Sequence, residues 1–127
     1  MRLIVVRHAE AAPGDPDELR PLTAAGQDAA RALGERLAGE RIDVILTSPL
    51  LRARETAEAI ARCSRVPVEV DERLAPGATA ANTREAVAGK GETVVTVGHQ
   101  PDCSEIVLEL TGREQRFAPA SFAEVEL

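Results

Sequence analysis

Three short runs of mainly aliphatic, β-branched residues constrain this chain more than anything else in it, because each is cut off by a polar motif. Leu3–Val6 (LIVV) stops on Arg7-His8, Val44–Leu46 (VIL) runs into Thr47-Ser48-Pro49, and Thr93–Val97 (TVVTV) runs into Gly98-His99-Gln100-Pro101. Runs this short and this apolar read as strands buried on both faces, the habit of parallel sheets. Helical patterns lie between them. Thr23 caps a helix that carries Leu33 and Leu37 on one face and ends at Gly39. Ser48 as cap and Pro49 as first residue predict a helix from Pro49 to about Arg62. Asn82 with Glu85 forms a capping box for a short helix over Thr83–Ala88. Pro101 starts another, with Cys103, Ile106, Val107 and Leu110 on one stripe and Gly112 as its stop. Val66–Val70 alternates as a strand, and the ending SFAEVEL turns Ala123, Val125 and Leu127 inward against outward Glu124 and Glu126, an edge or half-exposed strand. Strands alternating with helices predict an α/β fold, a single-domain three-layer α/β/α arrangement with a mostly parallel sheet, and 127 residues suit one such domain over 1–127.

Open sheets of this kind bind ligands beyond the carboxyl ends of their strands. Both histidines of the chain, and two arginines, fall there: Arg7 and His8 after the first strand, Arg52 one turn past the second, His99 after the third. If those strands are neighbours, two imidazoles and two guanidiniums share one mouth. Guanidinium forks match phosphate oxygens, helix N-termini offer free N–H groups, and neutral imidazole is a competent nucleophile near pH 7. Ser48 is expected both to start its helix and to line this phosphate site. Taken singly, each residue has a structural reading; the coincidence of all of them at equivalent strand ends is what points to phosphate chemistry.

Composition narrows the partners. A net charge of −6 argues against a nucleic-acid surface, and two aromatic residues, both Phe, give no stacking platform for single strands. No apolar run is long enough to cross a bilayer, and the first apolar stretch is too short for a secretory signal, so a cytoplasmic protein without membrane association is expected. Cys63 and Cys103 lack metal-ligand spacing and read as reduced, structural thiols.

VVRHAEA, TSPLLRARETAE and VTVGHQP, in that order, resemble the three motifs of the histidine phosphatase superfamily, also called phosphoglycerate mutase-like. The short length, RPLTAAG, DERLAPGA and the ASFAEVEL ending look most like its SixA-type phosphohistidine phosphatases, and the resemblance covers nearly the whole chain. It implies the histidine phosphatase fold and a phosphatase needing no metal or other cofactor, in which His8 takes the phosphoryl group while Arg7, Arg52 and His99 hold its oxygens. The chain departs from the superfamily's pattern in two places. Ala9 stands where many members have glycine, and Ala75-Pro76-Gly77 stands where mutases and phosphoesterases carry a glutamate acid. An alkoxide leaving group needs that acid, whereas an imidazole, whose conjugate acid has a pKa of roughly 6.5, does not. The expected activity is therefore hydrolysis of phosphohistidine on another protein through a phosphorylated His8, by a monomer. A phosphatase for small sugar or nucleotide phosphate esters is the alternative, with Glu72, Glu10, Asp17 or Asp102 as proton donor; a non-catalytic phosphate-binding module is the third reading. The Pro-, Gly- and Asp-rich stretch Ala11–Thr23 follows the first motif and should loop over the pocket mouth.

Overall fold

The computed structural model describes residues 1–127. Five strands form one sheet: β1 (Arg2–Arg7), β2 (Val44–Thr47), β3 (Val68–Val70), β4 (Thr93–Gly98) and β5 (Phe122–Glu126). Four helices connect them: α1 (Ala24–Leu37), α2 (Leu51–Ser64), α3 (Ala80–Val87) and α4 (Asp102–Thr111). The spatial order is β3-β2-β4-β1-β5, and only β5 runs antiparallel to its neighbour. This is the α/β, mostly parallel, three-layer arrangement the alternation of elements predicts.

Because successive strand residues point to opposite faces, each apolar run feeds two cores. Ile4, Val6, Ile45, Val95 and Val97 pack with Leu33 and Leu37 of α1 and with Ala53, Ala57 and Ile60 of α2. Leu3, Val5, Val44, Leu46 and Val94 pack on the other face with Ala86 and Val87 of α3 and Cys103 and Val107 of α4. After β1 and β2 the chain therefore crosses to one face, and after β4 to the other. The crevice this leaves at the carboxyl ends falls around the central strand, β4. Arg7 pairs with Gly98 and Thr47 with Val97, so the three motif-bearing ends finish level. No helix is long and apolar enough to cross a membrane.

The structure corrects several local expectations. Helix α2 begins at Leu51 rather than Pro49, and its flanking residue Leu50 has no side-chain cap. Ser48 is still tied to the sheet, its amide donating to Val97 O at 3.0 Å, so the chain needs Pro49 and Leu50 to turn out of the strand. The capping box of α3 is Thr79 with Asn82, one turn before the expected pair, so the helix starts at Ala80. Thr23 does cap α1, accepting from Gly26 N, but the helix ends at Leu37. Strand β3 keeps only Val68–Val70 of the expected run, and Val70 is exposed on this edge. Both cysteines are free thiols; Cys103 is buried, which pushes its pKa up to about 12.

The Ala11–Thr23 segment forms a rim closed at its base. Ala11 and Leu22 form an isolated antiparallel bridge, Ala12 N donates to Pro21 O at 2.8 Å, and Thr23 N donates to Glu10 O at 3.0 Å. At its apex lies a short 3-10 turn, Asp17–Leu19, in which no residue is buried.

Candidate active site

Strand β4 organises the site through its backbone. His8 N donates to Gly98 O at 3.1 Å and Ser48 N donates to Val97 O at 3.0 Å, so the residues that follow β1 and β2 are both fixed to the end of β4, which itself leads into His99. The rings of His8 and His99 consequently lie 5.2 Å apart between centroids, tilted by 59°.

His8 is half-buried, and its Nδ1 lies 2.7 Å from the carbonyl oxygen of Ala9. A carbonyl only accepts, so Nδ1 carries the proton and Nε2 keeps a free lone pair. Burial lowers the pKa of His8; the Ala9 carbonyl opposes this, and Arg52, Arg7 and Arg20 push it lower still. The imidazole is neutral at pH 7 and the atom that can attack is Nε2.

His99 is buried, and its Nε2 lies 2.7 Å from Ser48 Oγ. Ser48 Oγ also accepts from Leu50 N at 3.2 Å, which ties this hydroxyl to the turn into α2 as well as to His99. Burial, reinforced by His8 and Arg52, lowers the His99 pKa to about 4, so this ring is neutral as well.

The two guanidiniums are held rather than floating. Arg7 Nη1 donates to Phe117 O at 2.8 Å, while its Nε is buried with no acceptor in the protein. Arg52 is buried in the first turn of α2; its Nη1 donates to the backbone oxygen of Asp17 at 2.9 Å and its Nη2 to Asp17 Oδ2 at 3.2 Å. The rim thus lies against the site, where the composition of Ala11–Thr23 places it. The sequence-predicted residues Arg7, His8, Ser48, Arg52 and His99 all converge here.

Of the four carboxylates weighed as proton donors, Asp17 is the one hydrogen-bonded to one of these residues. Glu10 accepts from the Thr23 hydroxyl at 2.7 Å, Glu72 is exposed without a hydrogen bond, and Asp102 is buried with its Oδ2 accepting from Gly77 N at 2.8 Å. Asp102 thereby fixes the Ala75-Pro76-Gly77 turn to the start of α4. One supporting residue escapes a reading of the motifs. Thr56, fully buried in α2, accepts from Ala9 N at 3.0 Å and donates to Arg52 O at 2.8 Å, locking the turn after His8 to the helix that carries Arg52. Its signal was available: a threonine four residues beyond Arg52 on a face otherwise built of alanine and isoleucine.

Two imidazoles and two arginines at the carboxyl edge of a mostly parallel sheet define a class of phosphoryl-transfer enzyme, and the sequence places the chain in it. The profile of the histidine phosphatase superfamily (branch 1) matches residues 3–76, and the chain belongs to this superfamily; it is a SixA-like phosphatase. It is 32% identical to the phosphohistidine phosphatase SixA of Escherichia coli over 142 aligned positions, covering 100% of this chain and 86% of that one. The structure of the protein histidine phosphatase SixA complexed with tungstate superposes with a TM-score of 0.89 at 30% identity, over 100% of this chain and 88% of that one. A putative phosphohistidine phosphatase SixA from Agrobacterium tumefaciens superposes with a TM-score of 0.85 at 25% identity, over 97% and 89%.

Proposed function

We propose that the protein hydrolyses phosphohistidine on a partner protein, with His8 as nucleophile and a phosphorylated His8 as intermediate. The observation that carries this reading is the Nδ1–H to Ala9 hydrogen bond, which leaves the lone pair of Nε2 on a neutral ring among Arg7, Arg52 and His99. Phosphoryl transfer asks for in-line positioning and positive or donor groups around the equatorial oxygens. Arg7 Nε is a buried donor in want of an acceptor, Arg52 keeps three N–H groups beyond those given to Asp17, and the His99 ring stands 5.2 Å from that of His8. In the first step Nε2 of His8 bonds to phosphorus while the bond from phosphorus to the leaving atom breaks. In the second, water attacks phosphorus and the electron pair returns to Nε2, the ring leaving as a neutral imidazole because Ala9 has kept the proton on Nδ1.

The substrate class is supported by the segment in which, by the resemblance, mutases and phosphoesterases carry their glutamate acid. Ala75-Pro76-Gly77 supplies no carboxyl in that segment, an absence tolerable for an imidazole leaving group and costly for an alkoxide. The site opens under an exposed rim whose Leu19 is 58% accessible, a mouth suited to a side chain borne on a protein surface. The names of the SixA relatives point the same way. A histidine-phosphorylated protein or peptide tests the proposal: turnover is expected, with an acid-labile phosphoenzyme trapped on quenching, and His8→Ala is expected to lose both. Full activity in His8→Ala overturns the mechanism; faster turnover of a panel of sugar and nucleotide phosphates than of phosphohistidine overturns the substrate class.

A further inference from the structure

Asp17 is the one carboxylate fixed at the mouth. Its Oδ1 accepts from Arg20 Nη1 at 2.9 Å and its Oδ2 from Arg52 Nη2 at 3.2 Å, while Arg20 is itself held by a bond from Nε to Ala12 O at 2.8 Å. The carboxylate lies close enough to His99 to favour a proton on that ring. Arg20 first, and Arg52 second, keep Asp17 below the usual carboxylate range. An anion so held is a poor proton donor, and this removes Asp17 as the acid an ester would need. A carboxylate has about four acceptor positions, of which the two arginine side chains use two, and the side chain is 55% exposed, so Asp17 has acceptor capacity left facing solvent.

Resting on the phosphohistidine reading above, we infer that Asp17 determines specificity by accepting a hydrogen bond from the ring N–H of the substrate's phosphohistidine, so that the site selects phosphorylated imidazoles over phosphate esters. In phosphohistidine one ring nitrogen carries phosphorus, and the other carries a proton only when the ring is cationic. As His8 Nε2 bonds to phosphorus, the broken bond's electron pair goes to the substrate nitrogen, and the ring leaves as neutral imidazole still holding the proton it brought. An unprotonated ring would have to leave as an anion. A carboxylate within about 4–6 Å of an imidazole raises its pKa, so Asp17 loads the leaving group before the bond breaks. An ester offers no such N–H, and a fixed negative charge opposes the anion developing on its oxygen.

The test compares kcat/KM for a phosphohistidine peptide with kcat/KM for p-nitrophenyl phosphate. The 3-10 turn buries no residue, so substitutions at Asp17 leave the core untouched. Asp17→Asn is expected to lower the peptide-to-ester ratio about tenfold or more, the loss of protonated ring for one unit of pKa. The ester rate itself shifts by a smaller factor as Arg52 is released. Asp17→Glu, which keeps the charge, is expected to recover most of the ratio. If both substrates change by the same factor in Asp17→Asn, Asp17 serves only the rim and this inference fails while the phosphohistidine reading stands. A wild-type enzyme that does not hydrolyse the peptide overturns both.

Discussion

Thr56 couples the turn after His8 to the helix bearing Arg52 through a single hydroxyl that accepts from one backbone amide and donates to one backbone carbonyl. Replacing it by valine keeps the shape and leaves the buried Ala9 N–H without a partner, a cost of about 1–3 kcal/mol. Thr56→Val is expected to lower the urea midpoint by a corresponding amount and to lower kcat through displacement of the His8 turn, measured on a phosphohistidine peptide. At this scale the sequence was legible where a residue sits in a motif and opaque where it acts through another. Arg7, His8, Arg52 and His99 stand at strand ends that the apolar runs announce. The Ser48–His99 bond spans 51 residues, and no local pattern connects the two until β2 and β4 are known to be neighbours. Ser48 looked like a helix cap because serine before proline usually is one; here its hydroxyl serves His99 and Leu50 instead.

Helices α1 and α2 meet closely enough that Gly34 has no room for a side chain. A Cβ there would lie 2.6 Å from Ala59 O and 3.2 Å from Cys63 Sγ, and the first of these is backbone that has nowhere to go. Gly34→Ala gains up to about 1 kcal/mol of helix propensity and incurs overpacking of about 1–3 kcal/mol. A net loss, seen as a lower midpoint in thermal melts, is the expected outcome; a higher midpoint would show that the two helices separate freely. Because α2 carries Arg52 and Thr56, this contact also sets how the clamp stands over the sheet. Elements were legible from sequence in kind and order, since period-two and helical patterns survive any topology. Their ends were not: the start of α2 depends on how long Ser48 stays paired with β4, and the α3 cap on which of two adjacent polar pairs reaches the helix first.

Two neutral histidines folded against arginines leave a mark on the whole molecule. His99 titrates near pH 4 in the folded protein and near 6.5 when unfolded, so below pH 6.5 the unfolded chain binds the extra proton. Stability is therefore full above pH 6.5 and is lost as pH falls toward about 4, at up to about 1.4 kcal/mol per pH unit for one such group, and the His8 shift acts in the same direction. Urea denaturation at pH 7 and pH 5 should show the lower stability at pH 5, and His99→Asn should shrink the difference; an unchanged difference would mean that His99 does not titrate as its burial requires. The alternation of strands and helices made the layered architecture readable in advance. The placement of β4 between β1 and β2 was not, because strand order in a parallel sheet is decided by which faces the helices cover, not by sequence adjacency. The rim carries a different consequence. Since Ala11 and Leu22 pair with each other, the ten residues between them form a closed circuit that transmits no length change to β1 or α1. Loop closure depends only weakly on length, about 0.6 kcal/mol per doubling, so this stretch tolerates changes of size wherever Asp17 and Arg20 are kept, the two residues through which it reaches Arg52 on the catalytic floor.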